Sequence, residues 1–123
     1  MKTYITLILF AIFSIHTVTA QDVYLQGEVP EAIDEQARKL TDRYISELAI
    51  SGEMQPIFEQ KVVEFLMRRE EVKEKYEGKA MLDRLFLLSK EENGEMRNIL
   101  TQPQLRRYRR IKKKIQPIAV VED

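Results

Sequence analysis

The sequence contains no cysteine, no tryptophan and a single histidine, His16, among its 123 residues. Without cysteine the chain cannot form a disulfide framework, a thiolate nucleophile, a Cys-ligated zinc site or an iron–sulfur cluster. Glycine and proline are scarce, at four residues each, while 33% of the residues are charged. This composition favours helices over a loop-rich sheet or a disordered tract, and the length suits a single domain.

The first 20 residues have the layout of a secretory signal peptide. Lys2 supplies a positive start, residues 4–15 form a mostly apolar run, and Val18 and Ala20 are small enough to precede a cleavage site. A retained membrane anchor is the alternative, but this run is shorter than the ~20 residues that a membrane-spanning helix needs. We therefore predict cleavage near Ala20, a location in the periplasm or outside the cell, and no stable membrane span after processing.

Cleavage near Ala20 would leave a mature chain with neither histidine nor cysteine. These residue types supply the commonest general base near neutral pH and the usual ligands for zinc, copper and nickel. The glutamates at 70, 71, 74 and 77 could attract calcium, although a solvated helix face is the simpler interpretation. We therefore predict that the protein is not an enzyme, and that it has no catalytic, cofactor-binding or metal-binding residues and no cofactor.

Charge is balanced overall, with 20 basic and 20 acidic side chains, but it is unevenly distributed along the chain. Residues 21–60 carry nine acids and three bases, whereas residues 96–123 carry two acids and eight bases. This gradient favours antiparallel contact between the first and last segments, within one chain or between two chains. The alternative is a set of solvated faces, whose exposed ion pairs contribute about 0–1 kcal/mol each.

Apolar spacing predicts about four amphipathic helices in residues 30–115, between an extended arm at 21–29 and a C-terminal tail at 116–123. The tail either docks on a folded surface or is disordered. The first helix follows Pro30, and its apolar stripe comprises Ile33, Ala37, Leu40, Tyr44 and Leu48. The second stripe comprises Met54, Phe58, Val62, Phe65, Leu66, Val72 and Tyr76, with Arg69 falling inside it.

Gly78 predicts a turn between the second and third helices. The third helix is predicted to run from about Lys79 to Ile99, through the Asn93-Gly94 pair that ordinarily marks a turn. The reason is that the apolar residues before and after this pair fall on one arc, namely Met81, Leu82, Leu85, Phe86, Leu88, Met96, Ile99 and Leu100. Leu87 points away from this arc and could belong to a partner surface.

The clearest local signal is the segment Leu100-Thr101-Gln102-Pro103-Gln104-Leu105. Thr101 can cap a fourth helix through its hydroxyl, and Gln104 can reach back to the Thr101 backbone N–H. Leu100 can pack on Leu105 across the same turn, and Pro103 is acceptable in a first turn because its missing N–H would lack a partner there. The segment therefore predicts a capping box at the start of the fourth helix.

A weaker form of this pattern occurs about 50 residues earlier, where Ile50 precedes Ser51 and Ser51 would cap the second helix. Pro56 at that place favours a shifted or bent helix start. The Leu-Thr-x-x-Gln element at residues 100–104, its degenerate copy and the secretory signal together resemble the LTXXQ (Spy/CpxP-like) family of periplasmic proteins. Only Leu100, Thr101 and Gln104 match the family motif residue by residue, with a structural role.

The resemblance implies an elongated helical hairpin that dimerises into a cradle. Activities in the family include ATP-independent chaperoning, envelope-stress sensing and, in relatives, metal binding. Metal binding is disfavoured for this sequence because no imidazole or thiol would survive processing. A short helical chain also has little interior of its own, so a second copy would help to bury its apolar stripes.

The fourth helix has one apolar side and one strongly basic side. The apolar side comprises Leu105, Tyr108, Ile111 and Ile115, and the basic side comprises Arg106, Arg107, Arg109, Arg110, Lys113 and Lys114. Such a strip could bind acidic unfolded segments, anionic lipid or nucleic acid, and export argues against nucleic acid. Contact with the acidic first helix is the structural alternative.

These features together predict an all-α, exported, non-enzymatic homodimer with a chaperone-like or envelope-stress-response role. Its partners would be unfolded or partner proteins in the cell envelope, bound through basic and apolar surface. The second hypothesis is a periplasmic adaptor that represses a membrane stress sensor.

Overall fold

A computed structural model of the chain describes residues 28–118. Within this range four α-helices follow one another without any strand, namely α1 (Glu31–Leu48), α2 (Gln55–Lys75), α3 (Gly78–Met96) and α4 (Gln102–Ile115). The predicted all-α class with four helices is thereby confirmed, while the dimeric cradle stays a prediction. The predicted signal peptide, the N-terminal arm up to residue 27 and tail residues 119–123 lie outside the described residues.

The four helices pack around a common interior. α1 contacts α2, α2 contacts α3, α3 contacts α4, and α4 contacts α1 again. The two longest helices, α2 with 21 residues and α3 with 19, form an antiparallel hairpin that is about 30 Å long at a rise of 1.5 Å per residue. Three ion pairs connect the two helices: Lys61–Glu95 at one end of the hairpin, and Arg68–Glu91 and Arg69–Glu92 about two turns further along α2 and one turn earlier in α3. No helix of residues 28–118 is both long enough and apolar enough to cross a bilayer.

The core is built from the apolar stripes of all four helices. Every residue of the stripe predicted for α1 is buried, and the stripes of α2 and α4 face it. At the centre Tyr44, Phe58 and Tyr108 form an aromatic cluster with ring centroids 5.1–6.2 Å apart. Aromatic pairs in this geometry contribute about 0.5–1.5 kcal/mol each beyond their burial. The cluster therefore joins α1, α2 and α4.

The start of α2 differs from the sequence prediction. The Ser51 side chain does not cap α2, because the helix begins at Gln55 and Met54 occupies the capping position without a side-chain hydrogen bond. Pro56 explains the shift: its ring is tolerated only in the first turn, so the helix begins one residue before it. The Gln55 side chain instead donates to the Ile50 carbonyl oxygen at 3.2 Å, and Ile50 itself is buried.

α3 begins at the predicted turn, where Gly78 adopts a positive φ of 58°. It continues through Asn93 and Gly94 as predicted, although it ends at Met96 rather than near Ile99. Phe86 was expected to share the buried arc, but its side chain is 51% exposed, so this part of the prediction is wrong. The reason is that α3 packs only against α2 and α4, which leaves the edge of a wide apolar arc uncovered.

Candidate functional site

The orientation of α4 is fixed at its first turn by the predicted capping box. Thr101 Oγ1 accepts a hydrogen bond from the Gln104 backbone N–H at 3.3 Å, and Gln104 Oε1 accepts one from the Thr101 backbone N–H at 3.0 Å. The adjacent Leu100 and Leu105 are both buried in the core. α4 therefore begins at a defined position on the core, which sets where its basic residues point.

Gln104 also connects α4 to the end of α1. Its Nε2 donates to the carbonyl oxygens of Leu48 at 3.1 Å and Ala49 at 3.3 Å. These carbonyls belong to the last turn of α1, where the helix itself supplies no donors. One side chain thus completes the start of α4 and the end of α1, a second role that the sequence pattern alone did not reveal.

The predicted basic strip is divided between two sides of α4. Arg107 and Lys114 lie towards α1, where the Arg107 guanidinium is 2.9 Å from the Glu47 carboxylate and its Nε donates to the Glu47 carbonyl oxygen at 2.7 Å. The other four, which lie on the open side, are Arg106, Arg109, Arg110 and Lys113. Contact with the acidic first helix, the structural alternative for this strip, therefore engages one of its six cations within residues 28–118.

The open side of α4 forms one wall of a groove whose other wall is α3. This α3–α4 groove has two adjoining compartments of about 410 and 670 Å³, which share Lys90, Asn93, Arg109 and Lys113. The larger compartment is completed by Arg106 and Arg110. The smaller one is completed by a mixed polar and apolar set comprising Phe86, Ser89, Lys112, Gln116, Pro117 and Ile118.

The rim of the α3–α4 groove carries a concentrated positive charge. Arg106, Arg109, Arg110 and Lys113 are all exposed, and none forms a hydrogen bond or ion pair with another part of the described chain. Lys90 on the opposite wall lies 4.6 Å from the centroid of the Phe86 ring. Neighbouring like charges repel one another, so an anionic ligand that neutralised them would bind favourably.

A buried ionic cluster, which the sequence analysis did not predict, adjoins the groove through Lys112. Glu92 and Lys112 are almost fully buried, and their charged atoms are 2.6 Å apart. The same Glu92 Oε1 accepts a hydrogen bond from the Tyr108 hydroxyl at 2.9 Å and lies 3.5 Å from the Arg69 guanidinium. A signal was present in the sequence, because Glu92 and Lys112 each occupy a position within an apolar stripe at three- or four-residue spacing.

Burial controls the titration of this cluster. It lowers the pKa of Lys112, although Glu92 partly opposes the shift, and it raises the pKa of Tyr108 well above the usual range. The Lys112 ammonium donates to the Ser89 carbonyl oxygen at 3.2 Å and to Asn93 Oδ1 at 3.1 Å. Because all three donors of Lys112 have acceptors, this lysine holds α4 against α3 and is not placed to act as a nucleophile.

The polar side chains of the described residues do not form a set of metal ligands. Nowhere in residues 28–118 do three or more His, Asp or Glu side chains converge into a metal-binding group. The groove instead offers positive charge, one exposed aromatic ring and the polar side chains of Ser89, Asn93 and Gln116, an arrangement suited to binding an anionic ligand with an apolar part.

In comparisons with known proteins, no protein-family model, no curated protein and no solved structure matches the chain. The resemblance to the LTXXQ family therefore rests on the Leu-Thr-x-x-Gln element at residues 100–104, its degenerate copy at residues 50–55 and the predicted signal peptide. Its functional implications remain predictions.

Proposed function

We propose that this protein is an exported, non-enzymatic binding protein with a chaperone-like role in the cell envelope. It would bind non-native proteins without nucleotide, and the α3–α4 groove would be its binding surface. The observation that carries the proposal is the set of four exposed arginine and lysine side chains on the groove side of α4, none of which has a partner within residues 28–118. The resemblance to the LTXXQ family and the predicted signal peptide support the same role.

Exposed apolar side chains accompany this charge. Phe86 and Ile118 lie in the groove and are 51% and 36% exposed, and Leu87 on the neighbouring face of α3 is 55% exposed. Non-native proteins present both apolar and charged segments, so a surface with both properties can hold them more tightly than charge alone. Electrostatic attraction would speed the encounter, and apolar contact would slow release.

An aggregation assay tests the chaperone-like role. The purified protein, added without nucleotide at an equimolar dose, should slow the light scattering of a heated or reduced client protein. Raising the salt concentration to about 0.5 M should weaken the effect, because the screening length then falls well below 10 Å. Unchanged aggregation at equimolar dose and low salt would contradict the proposal.

The adaptor hypothesis is also supported by one observation, since the groove combines a row of cations with a small apolar end rather than a broad apolar surface. A panel of unrelated unfolded peptides separates the two functions. A chaperone should bind many of them with affinities within about tenfold of one another, whereas an adaptor should prefer one sensor-derived sequence by far more than tenfold.

A further inference from the structure

We propose that the ligand of the α3–α4 groove is an acidic amphipathic helix that lies along α4. This inference rests on the proposed binding function and specifies the chemistry of the segment that is bound. It combines three features of the groove: the spacing of its cations, the helical nature of both walls and the apolar end formed by Phe86 and Ile118.

The cations on the groove side of α4 repeat with helical spacing. Arg106, Arg109 and Lys113 are separated by three and four residues, which places them about 4.5 and 6 Å apart along the helix axis. A ligand helix with acidic side chains at spacings of three and four presents carboxylates at the same intervals. Lys90 on the opposite wall could pair with an acidic side chain on the other flank of such a ligand.

The walls of the groove favour a helix over an extended strand. Both walls are helices whose backbone groups are already paired internally, and residues 28–118 contain no strand edge to which a peptide could add. An extended ligand would therefore leave its backbone donors and acceptors without protein partners. A helix satisfies its own backbone groups and can lay its apolar face into the groove between two helices.

The apolar end of the groove supplies an anchor point. Phe86 from α3 and Ile118 after α4 line the smaller compartment, and the Phe86 ring is 51% exposed. A leucine or phenylalanine of the ligand helix could pack between them while its acidic neighbours reach Arg109 and Lys113. A purely anionic polymer would gain nothing from this end, which is why we favour an amphipathic peptide over such a polymer.

Fluorescence anisotropy tests the proposal with a labelled acidic peptide of about 18 residues, long enough to form a partial helix. Its acidic residues and leucines occupy helical spacings, and a scrambled peptide of equal composition serves as the ligand control. Lys113→Glu and Arg109→Glu alter the groove, whereas Lys114→Glu places the same charge change on the α1 side of the same helix. Phe86→Ala removes the apolar anchor, and circular dichroism of each variant checks that its helices are retained.

The amphipathic peptide should bind the protein at least about tenfold more tightly than the scrambled one. Lys113→Glu and Arg109→Glu should each weaken binding by about tenfold, and Lys114→Glu by less than about threefold. Phe86→Ala should weaken the amphipathic peptide several-fold and leave weak binding of the scrambled peptide unchanged. Equal affinity for the two peptides, or equal effects of Lys113→Glu and Lys114→Glu, would overturn the proposal.

Two further ligands distinguish binding of an acidic helix from general binding of anions. Inorganic polyphosphate and vesicles containing an anionic phospholipid should bind independently of Phe86, and preferential binding of either over the peptide would overturn the inference. The aggregation assay reports separately on the proposed function. If the peptide does not bind but client aggregation is still suppressed, only this inference fails. If the peptide binds but client aggregation is unchanged, the chaperone-like role fails and the helix-binding groove stands.

Discussion

The buried pair Glu92–Lys112 gives the sharpest test of how this fold is held together. Replacing Glu92 with leucine leaves Lys112, whose side chain is 5% exposed, with a buried charge and without its 2.6 Å partner. Breaking a buried ion pair in this way costs about 3–5 kcal/mol. The Tyr108 hydroxyl also loses its acceptor, at a cost within the usual 1–3 kcal/mol for a buried unsatisfied group. We expect Glu92→Leu to lower the free energy of unfolding by about 3–5 kcal/mol, because the two losses overlap.

Urea unfolding followed by circular dichroism measures this loss, and Glu91→Leu provides a matched control one residue away. Glu91 pairs with Arg68 at the surface, where its side chain is 58% exposed, so its replacement should cost about 0–1 kcal/mol. The double variant Glu92→Leu/Lys112→Leu should recover much of the loss, since it removes both charges together. If Glu92→Leu costs no more than Glu91→Leu, the buried cluster does not stabilise the fold as argued.

Three further predictions concern single positions. Thr101→Ala removes the α4 cap and should lower the stability measured by thermal unfolding by about 1 kcal/mol, whereas Thr101→Ser keeps a capping hydroxyl and should retain most of that stability. Equal stability of the two variants would argue against the capping box. Gly78→Ala should lower the free energy of unfolding by about 1–2 kcal/mol, because alanine is strained at a φ of +58°. Ala49→Gly should raise it by about 0.5–1 kcal/mol, because Ala49 ends α1 at a φ of +51°. A lower stability of Ala49→Gly would contradict this helix-end geometry. Burial raises the pKa of both Tyr44 and Tyr108 above 10, so their protonated phenols stabilise the fold below about pH 10 and this contribution is lost as the pH rises further. In a titration to high pH, the tyrosinate absorbance at 295 nm should therefore rise in a late phase that coincides with unfolding, and this phase should be smaller in Tyr44→Phe or Tyr108→Phe. A titration curve that is unchanged in both variants would refute the burial of these phenols.

Much of the architecture could be predicted because local rules and tertiary packing agree. The α1 stripe has regular helical spacing on a charged helix, and every predicted member is buried. The segment Leu100–Leu105 combines a capping threonine, a reciprocal glutamine and a flanking leucine pair, and all of these features are present in the structure. Where several short-range preferences favour the same conformation, a single sequence is sufficient to predict it.

Other features depend on contacts that a sequence does not contain. Ser51 resembled a cap, but Pro56 moved the start of α2 beyond its reach. Phe86 lies on an apolar arc, yet its exposure depends on how many helices surround α3.

The basic strip was visible in the sequence, whereas its division between two sides of α4 was not. That division depends on the docking angle of α4, which places Arg107 against Glu47 and leaves Lys113 in the groove. The partnership of Glu92 with Lys112 likewise required knowledge of which helices are neighbours, although both residues stand out as polar positions within apolar stripes. The sequence thus predicted which basic residues the candidate site contains, but not that they line a groove between α3 and α4.

Binding of non-native clients in the α3–α4 groove can be tested directly by mapping where such a client contacts the protein in solution. Backbone amide signals of the ¹⁵N-labelled protein can be followed by NMR while an unfolded acidic client is added at low salt. We expect the largest shifts at Lys90, Asn93, Arg109 and Lys113, with little change at Arg38 on the outer face of α1. Shifts confined to the outer faces of α1 and α2, with the α3–α4 groove unaffected, would contradict this expectation.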